Sequence, residues 1–257
     1  MTGRDPFRHP GPGLSFGAAG DCWPCVEAYI GRGATPCKRW LAMVFAQKAG
    51  FLRERTAMTE LELRGFRILP GYLDGARQAA LVDGLRAVAA KAPLFTPMTP
   101  MGRAMSVRMT SAGRYGWVSG SSGYRYDAAH PGGGPWPDIP GGVLQIWRDL
   151  VSARRDPDCC LINYYGEGAR MGLHQDRDEA DFSWPVLSIS LGDDGLLRVG
   201  NTARGGSTVS HWLRSGDVVV MGGDARLTYH GVDRIRFGSS SLLSGGGRIN
   251  LTCRVVD

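Results

Sequence analysis

The last hundred residues hold four short apolar runs: Cys159 to Tyr164, Val186 to Leu191, Val218 to Met221 and Ile249 to Val255. Turn-forming residues such as Gly166, Pro185, Gly192 and Gly222 separate them, and none is long enough for a helix of ordinary length. Runs of this kind are buried as strands, and several short strands divided by turns pack as a sandwich or jelly roll.

The preceding segment reads differently. Phe66 to Leu69 is a short strand stopped by Pro70-Gly71. Asp74 to Ala90 has helical periodicity, with Ala80, Leu81, Leu85, Val88 and Ala89 on one stripe. Met105 to Met109 alternates weakly and leads into a Gly-, Ser- and Tyr-rich stretch up to Tyr126. A Pro/Gly loop spans Pro131 to Pro140, and Val143 to Val151 is a second helix with Val143, Ile146, Trp147 and Leu150 facing inward. Helices followed by strands, with no internal repeat, give an α+β class that is mainly β.

Residues 1–57 lack such a pattern. They hold eight basic residues against four acidic ones and begin with a Gly- and Pro-rich stretch, which reads as a basic, disordered leader. Cys22-Trp-Pro-Cys25 lacks a second ligand pair at regular spacing, so free thiols in a leader are expected. Met58 is a candidate start. The domain expectation is therefore a leader over 1–57 and one domain over 58–257, with helices and a recognition region over about 58–155 and the strand-rich core over 156–257.

The net charge of +6 suits a polyanionic partner without requiring one. No run approaches the roughly 18 apolar residues of a membrane span. The six cysteines include the adjacent Cys159 and Cys160 and do not form a disulfide framework, so a reducing, cytoplasmic location is expected.

His174-Gln175-Asp176 is the strongest local feature. Residues i and i+2 of an extended segment share a face, so an imidazole and a carboxylate there can grip one metal. His230 follows after 53 intervening residues, inside Leu-Thr-Tyr-His-Gly. Two His and one carboxylate form the facial triad of non-haem Fe(II) oxygenases. An H-x-D pair taken alone is more often a pair of polar surface residues or a satisfied core histidine than a metal site.

The C-terminal strand adds a second constraint. Arg248, Asn250, Thr252 and Arg254 share one parity; Ile249, Leu251 and Cys253 share the other. If the arginines face inward they need anionic partners, because an unpaired buried charge is costly. A dicarboxylate such as 2-oxoglutarate is one such partner. The alternative is the polar outer face of an edge strand.

Taken in order, Leu-Ile-Asn163-Tyr-Tyr165, Gly-Leu-His174-Gln-Asp176-Arg-Asp178-Glu, Gly-Asp-Val-Val-Val-Met-Gly-Gly, Arg-Leu-Thr-Tyr-His230-Gly and Arg248-Ile-Asn250-Leu-Thr-Cys-Arg254 resemble the successive signatures of the AlkB-type dioxygenases. The resemblance runs from about Gly65 to the C-terminus. It implies a double-stranded β-helix (jelly roll) with N-terminal helices and a nucleotide-recognition extension. It further implies Fe(II) held by His174, Asp176 and His230, and 2-oxoglutarate held by Arg248, Asn250 and Arg254 with Asn163 and Tyr165. O2 is the third reactant.

Met105-Ser-Val-Arg-Met109-Thr, Gly116-Trp117 and Gly123-Tyr124-Arg-Tyr126 resemble that family's recognition region. The resemblance places Trp117 in the wall of a base pocket, Tyr124 and Tyr126 against base or backbone, Asp178 at the exocyclic amino group and Arg204 in a lid. The implied reaction is oxidative demethylation of 1-methyladenine and 3-methylcytosine in single-stranded DNA, with RNA as a second polymer, releasing succinate, CO2 and formaldehyde. A monomer without membrane attachment is expected. Two departures bear on substrate: Ser207-Thr-Val-Ser-His211 is less basic than the family pattern, and Met221 stands where an aromatic is expected. The alternatives are a hydroxylase of another substrate, such as modified tRNA, protein or a small molecule, and a non-catalytic nucleic-acid-binding module.

Overall fold

The four apolar runs do become strands. A computed structural model describes Phe7 and residues 59–120, 123–151 and 155–257. Cys22, Cys25, Met58 and nearly all of the expected leader lie outside these residues. Phe7, the one described residue of that leader, is buried in a hydrophobic core.

In chain order the elements are β1 (Leu61–Leu63), β2 (Phe66–Leu69), α1 (Gly75–Lys91), β3 (Val107–Gly113), β4 (Gly116–Gly120), β5 (Gly123–Asp127), α2 (Gly141–Leu150), β6 (Cys159–Tyr165), β7 (Met171–His174), β8 (Val186–Gly192), β9 (Asp194–Val199), β10 (Val209–Leu213), β11 (Val218–Met221), β12 (His230–Arg236) and β13 (Arg248–Arg254). A seven-stranded sheet has the order β1-β2-β11-β8-β13-β6-β3. A four-stranded sheet has the order β10-β9-β12-β7, and β4-β5 is a separate hairpin. All pairings are antiparallel. This is the jelly-roll arrangement expected from the turn-divided runs.

Both helices contribute to one core. Asp74 caps α1 by accepting from the Arg77 amide at 2.8 Å, a stabilising arrangement for an otherwise unpaired N-terminal donor. Leu81, Val82, Leu85 and Val88 of α1 are buried. They pack in one cluster with Val143, Ile146 and Trp147 of α2 and with Ile249, Leu251 and Cys253 of β13. Val82 takes the place expected of Ala80, which is exposed. The other face of the large sheet meets the small sheet: Phe66, Ile68, Val219 and Met221 pack with Leu197, Val199 and Leu213.

Strands covered on both faces were the ones readable as apolar runs, and every residue of β6 and β8 is buried. The small sheet is amphipathic, so its strands are harder to read. β9 alternates half-buried and buried residues, and β12 ends in a polar half. β3 reaches Gly113, beyond the expected end at Met109, because it pairs with β6 from Val107 opposite Tyr165 to Gly113 opposite Cys159. The Gly- and Ser-rich stretch after it folds as the β4-β5 hairpin. Gly116 is required there, since a Cβ at this position would collide with the Trp136 ring. Among the described residues no helix is long and apolar enough to cross a membrane.

Candidate active site

A cavity of about 400 Å³ is lined by residues of both sheets and of the β4-β5 hairpin. β7 ends at His174 and β12 begins at His230, and the two residues face each other across the β7-β12 ladder. Asp176 lies two residues beyond the end of β7. The pairing of His174 with Asp176 thus rests on the segment following the strand, not on strand parity. The second histidine is supplied by the register with β12. His174 Nε2 is 3.6 Å from Asp176 Oδ1, and His230 Nε2 is 3.8 Å from Asp176 Oδ2. One donor atom from each of the three residues lies within 4.8 Å of the others.

The histidines are oriented for metal ligation. Their Nδ1 atoms sit 2.9 Å from the Gly172 and Thr228 carbonyl oxygens, so each Nδ1–H donates there and leaves Nε2 with its lone pair. Burial lowers the His230 imidazole to about 4, which keeps it in the neutral, ligating form. Burial also opposes ionisation of Asp176, but the adjoining Arg254, His230 and His174 outweigh it and hold the carboxyl well below the usual range. Asp176 Oδ2 is buried without a hydrogen-bond partner. An anionic oxygen left bare beside the His230 Nε2, on a carboxylate that the His174 Nε2 also approaches, fits a divalent cation.

The parity of β13 holds. Arg248, Asn250, Thr252 and Arg254 all line the cavity, and β13 is a central strand between β8 and β6. The edge-strand alternative is therefore wrong. Tyr165 lies opposite Arg248 and Asn163 opposite Asn250, so register collects four of the five residues expected around 2-oxoglutarate. Arg248 is fully buried. It donates to Ser190 Oγ at 2.7 Å and toward the Asp193 carbonyl at 3.4 Å, while its Nε has no partner. Burial pushes this guanidinium below its ordinary value, and no ion pair with a carboxylate offsets that among the described residues. Gly195 makes room for it, because a Cβ there would lie 2.7 Å from Arg248 Nε. The Asn163 side-chain oxygen is also buried and unpartnered. Bare hydrogen-bonding groups beside a buried cation that has no direct ion pair among the described residues fit an acidic cosubstrate.

Arg254 lines the cavity as expected and has partners of its own besides. It is ion-paired within the chain, to Asp176 Oδ1 at 2.8 Å and to Glu179 Oε1 at 3.2 Å. Its Nε and Nη1 are buried and make no hydrogen bond among the described residues, the Nε contact with Glu179 being an ion pair by distance alone, so only part of the group is free toward a cosubstrate.

The hairpin supplies aromatic walls. Trp117 and Tyr124 stack at 5.1 Å between centroids and 20° between planes, and Trp117 Nε1 donates to Asp178 Oδ2 at 3.0 Å. All three line the cavity. Two expected substrate residues do not line it. The Tyr126 hydroxyl donates to Glu179 Oε1, and its ring packs with the Val107 and Leu161 cluster. Arg204 is exposed in the β9-β10 connection. Sequence reasoning passed over Glu179 and Arg226, whose buried side chains form an ion pair at 3.0 Å. The visible signal was only a Glu at the end of the Asp-Arg-Asp-Glu run.

The profile of the 2OG-Fe(II) oxygenase superfamily matches residues 65–254. A relative from Caulobacter vibrioides, named an alpha-ketoglutarate-dependent dioxygenase AlkB homolog, is 54% identical over 191 residues, spanning 74% of this chain and 87% of the relative. The chain belongs to the AlkB-type branch of this superfamily. The AlkB dioxygenase of Escherichia coli K12 is 37% identical over 179 residues, covering 68% of this chain and 82% of that protein. The solved structure of OsALKBH1 superposes with a TM-score of 0.67 at 29% identity, covering 77% of this chain and all of that one. As an AlkB-type dioxygenase, the protein uses Fe(II), 2-oxoglutarate and O2, and the bare groups on Asp176, Arg248 and Asn163 fit that set.

Proposed function

We propose that this AlkB-type dioxygenase removes methyl groups from 1-methyladenine and 3-methylcytosine in single-stranded DNA, with RNA as a second polymer. The stacked Trp117–Tyr124 pair and the Asp178 carboxylate beside the His174, Asp176 and His230 side chains carry this reading. Relatives named for nucleic acids support it, including a DNA N(6)-methyladenine demethylase of Arabidopsis thaliana, 41% identical over 108 residues.

Each group of the chain has a part in this reading. His174, Asp176 and His230 hold iron by Nε2, a carboxylate oxygen and Nε2. Arg248 takes the carboxylate of 2-oxoglutarate that needs a buried cation, with Asn163, Tyr165 and Asn250 around it and Arg254 Nη1 nearby. Bound iron with 2-oxoglutarate and O2 supplies the oxidation of an N-methyl carbon, yielding succinate and CO2. A base must leave its stack to reach such a cavity. Trp117 and Tyr124 offer flat faces for it, and stacking contributes about 1–3 kcal/mol per base. The Trp117 N–H fixes the Asp178 carboxylate, whose charge favours the cationic methylated bases. Leu161, Leu197, Leu213, Val219 and Met221 give apolar walls that exclude water. The hydroxylated methyl group then leaves the base nitrogen as formaldehyde.

The test is succinate and formaldehyde release with 1-methyladenine or 3-methylcytosine in a single-stranded oligonucleotide. Stimulation by the methylated strand, with formaldehyde matching succinate, is expected. Equal stimulation by unmethylated strands, or turnover driven only by small molecules, would overturn the proposal.

A further inference from the structure

The buried charges behind the metal-site carboxylate form a closed set. Glu179 has a side chain 1% exposed and meets two guanidiniums that are nearly as buried. Its Oε1 is 3.2 Å from Arg254 Nε, and its Oε2 accepts from Arg226 Nη2 at 3.0 Å. Both arginines continue to Asp176. Arg254 Nη2 lies 2.8 Å from the Asp176 Oδ1 atom, and Arg226 Nη1 donates to the Asp176 main-chain carbonyl at 2.6 Å. Glu179 therefore restrains the side chain of Asp176 through one arginine and its backbone through the other. Arg226 Nε also donates to the Trp184 carbonyl at 2.9 Å, which anchors it from the opposite side.

A third partner comes from the recognition hairpin. Tyr126 of β5 donates its hydroxyl to Glu179 Oε1, on the strand that also carries Tyr124 of the aromatic pair. We propose that Glu179 is a positioning residue for the metal centre: through Arg254 and Arg226 it fixes Asp176 so that Oδ2 stays free for the ion, while Tyr126 ties it to the β4-β5 hairpin.

Two guanidiniums face two carboxylates in this set, so neutralising Glu179 leaves an uncompensated positive charge beside an incoming dication. It also frees Arg254 to move onto Asp176 and compete for Oδ2. Both effects weaken metal binding although Glu179 has no contact with the ion, and partners of ligands commonly affect metal affinity by about 10–100-fold.

This inference rests on the ligand assignment proposed above. Mn(II) binding is titrated by calorimetry for the wild type, Glu179→Gln and Tyr126→Phe, with Co(II) visible spectra recorded for each. Glu179→Gln keeps the shape and removes the charge; Tyr126→Phe removes only the hydroxyl. The expected result is a Mn(II) Kd weakened about 10–100-fold in Glu179→Gln, a smaller weakening in Tyr126→Phe, and altered Co(II) bands in both, with cooperative melting retained. If Glu179→Gln fails to fold, Tyr126→Phe decides. Folded variants that match the wild type in Mn(II) affinity and Co(II) spectrum would overturn the inference. A wild type that takes up no Mn(II) overturns the ligand assignment, and the inference with it.

Discussion

The two ends of β13 carry the same residue on the same face in opposite electrostatic situations. At the Arg248 end the guanidinium is fully buried, meets a hydroxyl and a carbonyl, and forms no ion pair with an acid among the described residues. At the Arg254 end it is ion-paired with both Asp176 and Glu179. One end is a buried cation without a direct ion pair among the described residues, which suits an anionic ligand. The other is ion-paired with the metal-site carboxylate and keeps only its Nη1 side open to the cavity. Side-chain parity cannot tell these apart; the carboxylates brought near each end can.

The contrast is broken most severely at Asp176, which belongs to the Arg254 end. Asp176→Ala, like His174→Ala and His230→Ala, should abolish succinate formation at saturating iron and weaken Fe(II) binding, since each removes one of three protein ligands. Full activity in any of the three would mean the metal lies elsewhere.

Arg254→Ala should destabilise the protein by about 3–5 kcal/mol, because it leaves the buried Asp176 and Glu179 carboxylates short of a partner. Urea unfolding measures this. A midpoint equal to the wild type would show that the ion pairs seen at Arg254 do not govern stability.

Arg248→Ala should give the reverse pattern. It breaks no ion pair among the described residues, so unfolding should change far less than in Arg254→Ala. The affinity for 2-oxoglutarate should fall by about 2–5 kcal/mol, the cost of removing a buried charged partner. Lys at this position should restore only part of it, since the planar fork is lost. Titration of 2-oxoglutarate beside an oligonucleotide titration is the check, and a shift confined to the oligonucleotide curve would reverse the assignment of the two ends.

The smallest effect is expected outside β13. Trp117→Ala should weaken binding of a methylated single strand by about 1–3 kcal/mol while 2-oxoglutarate turnover without substrate continues. Unchanged oligonucleotide binding would place base recognition away from the hairpin.

Much of this was legible in the chain. The runs in β6, β8, β11 and β13 were readable because each is buried on both faces. The β13 parity was readable because side chains alternate with a period of two. The strands β7, β9, β10 and β12 were not, since none is an unbroken buried run and β9 and β12 carry residues such as Asp194, Arg198 and Asp233. Tyr126 and Arg204 were expected at the substrate. The fold turns the first toward Glu179 and leaves the second exposed outside the cavity.

By itself the sequence determined which residue types were available and which of them share a strand face. That sufficed for the apolar and polar sides of β13, which follow from side-chain alternation, and it set His174 close to Asp176; that His230 completes the set depends on the register of β7 with β12. Only the tertiary structure decided which charges meet. The approach of Glu179 to Arg254 and Arg226, and the lack of an ion pair at Arg248 among the described residues, depend on contacts between segments far apart in the chain. Coulombic interaction and desolvation depend on distance in space, which the order of residues does not state.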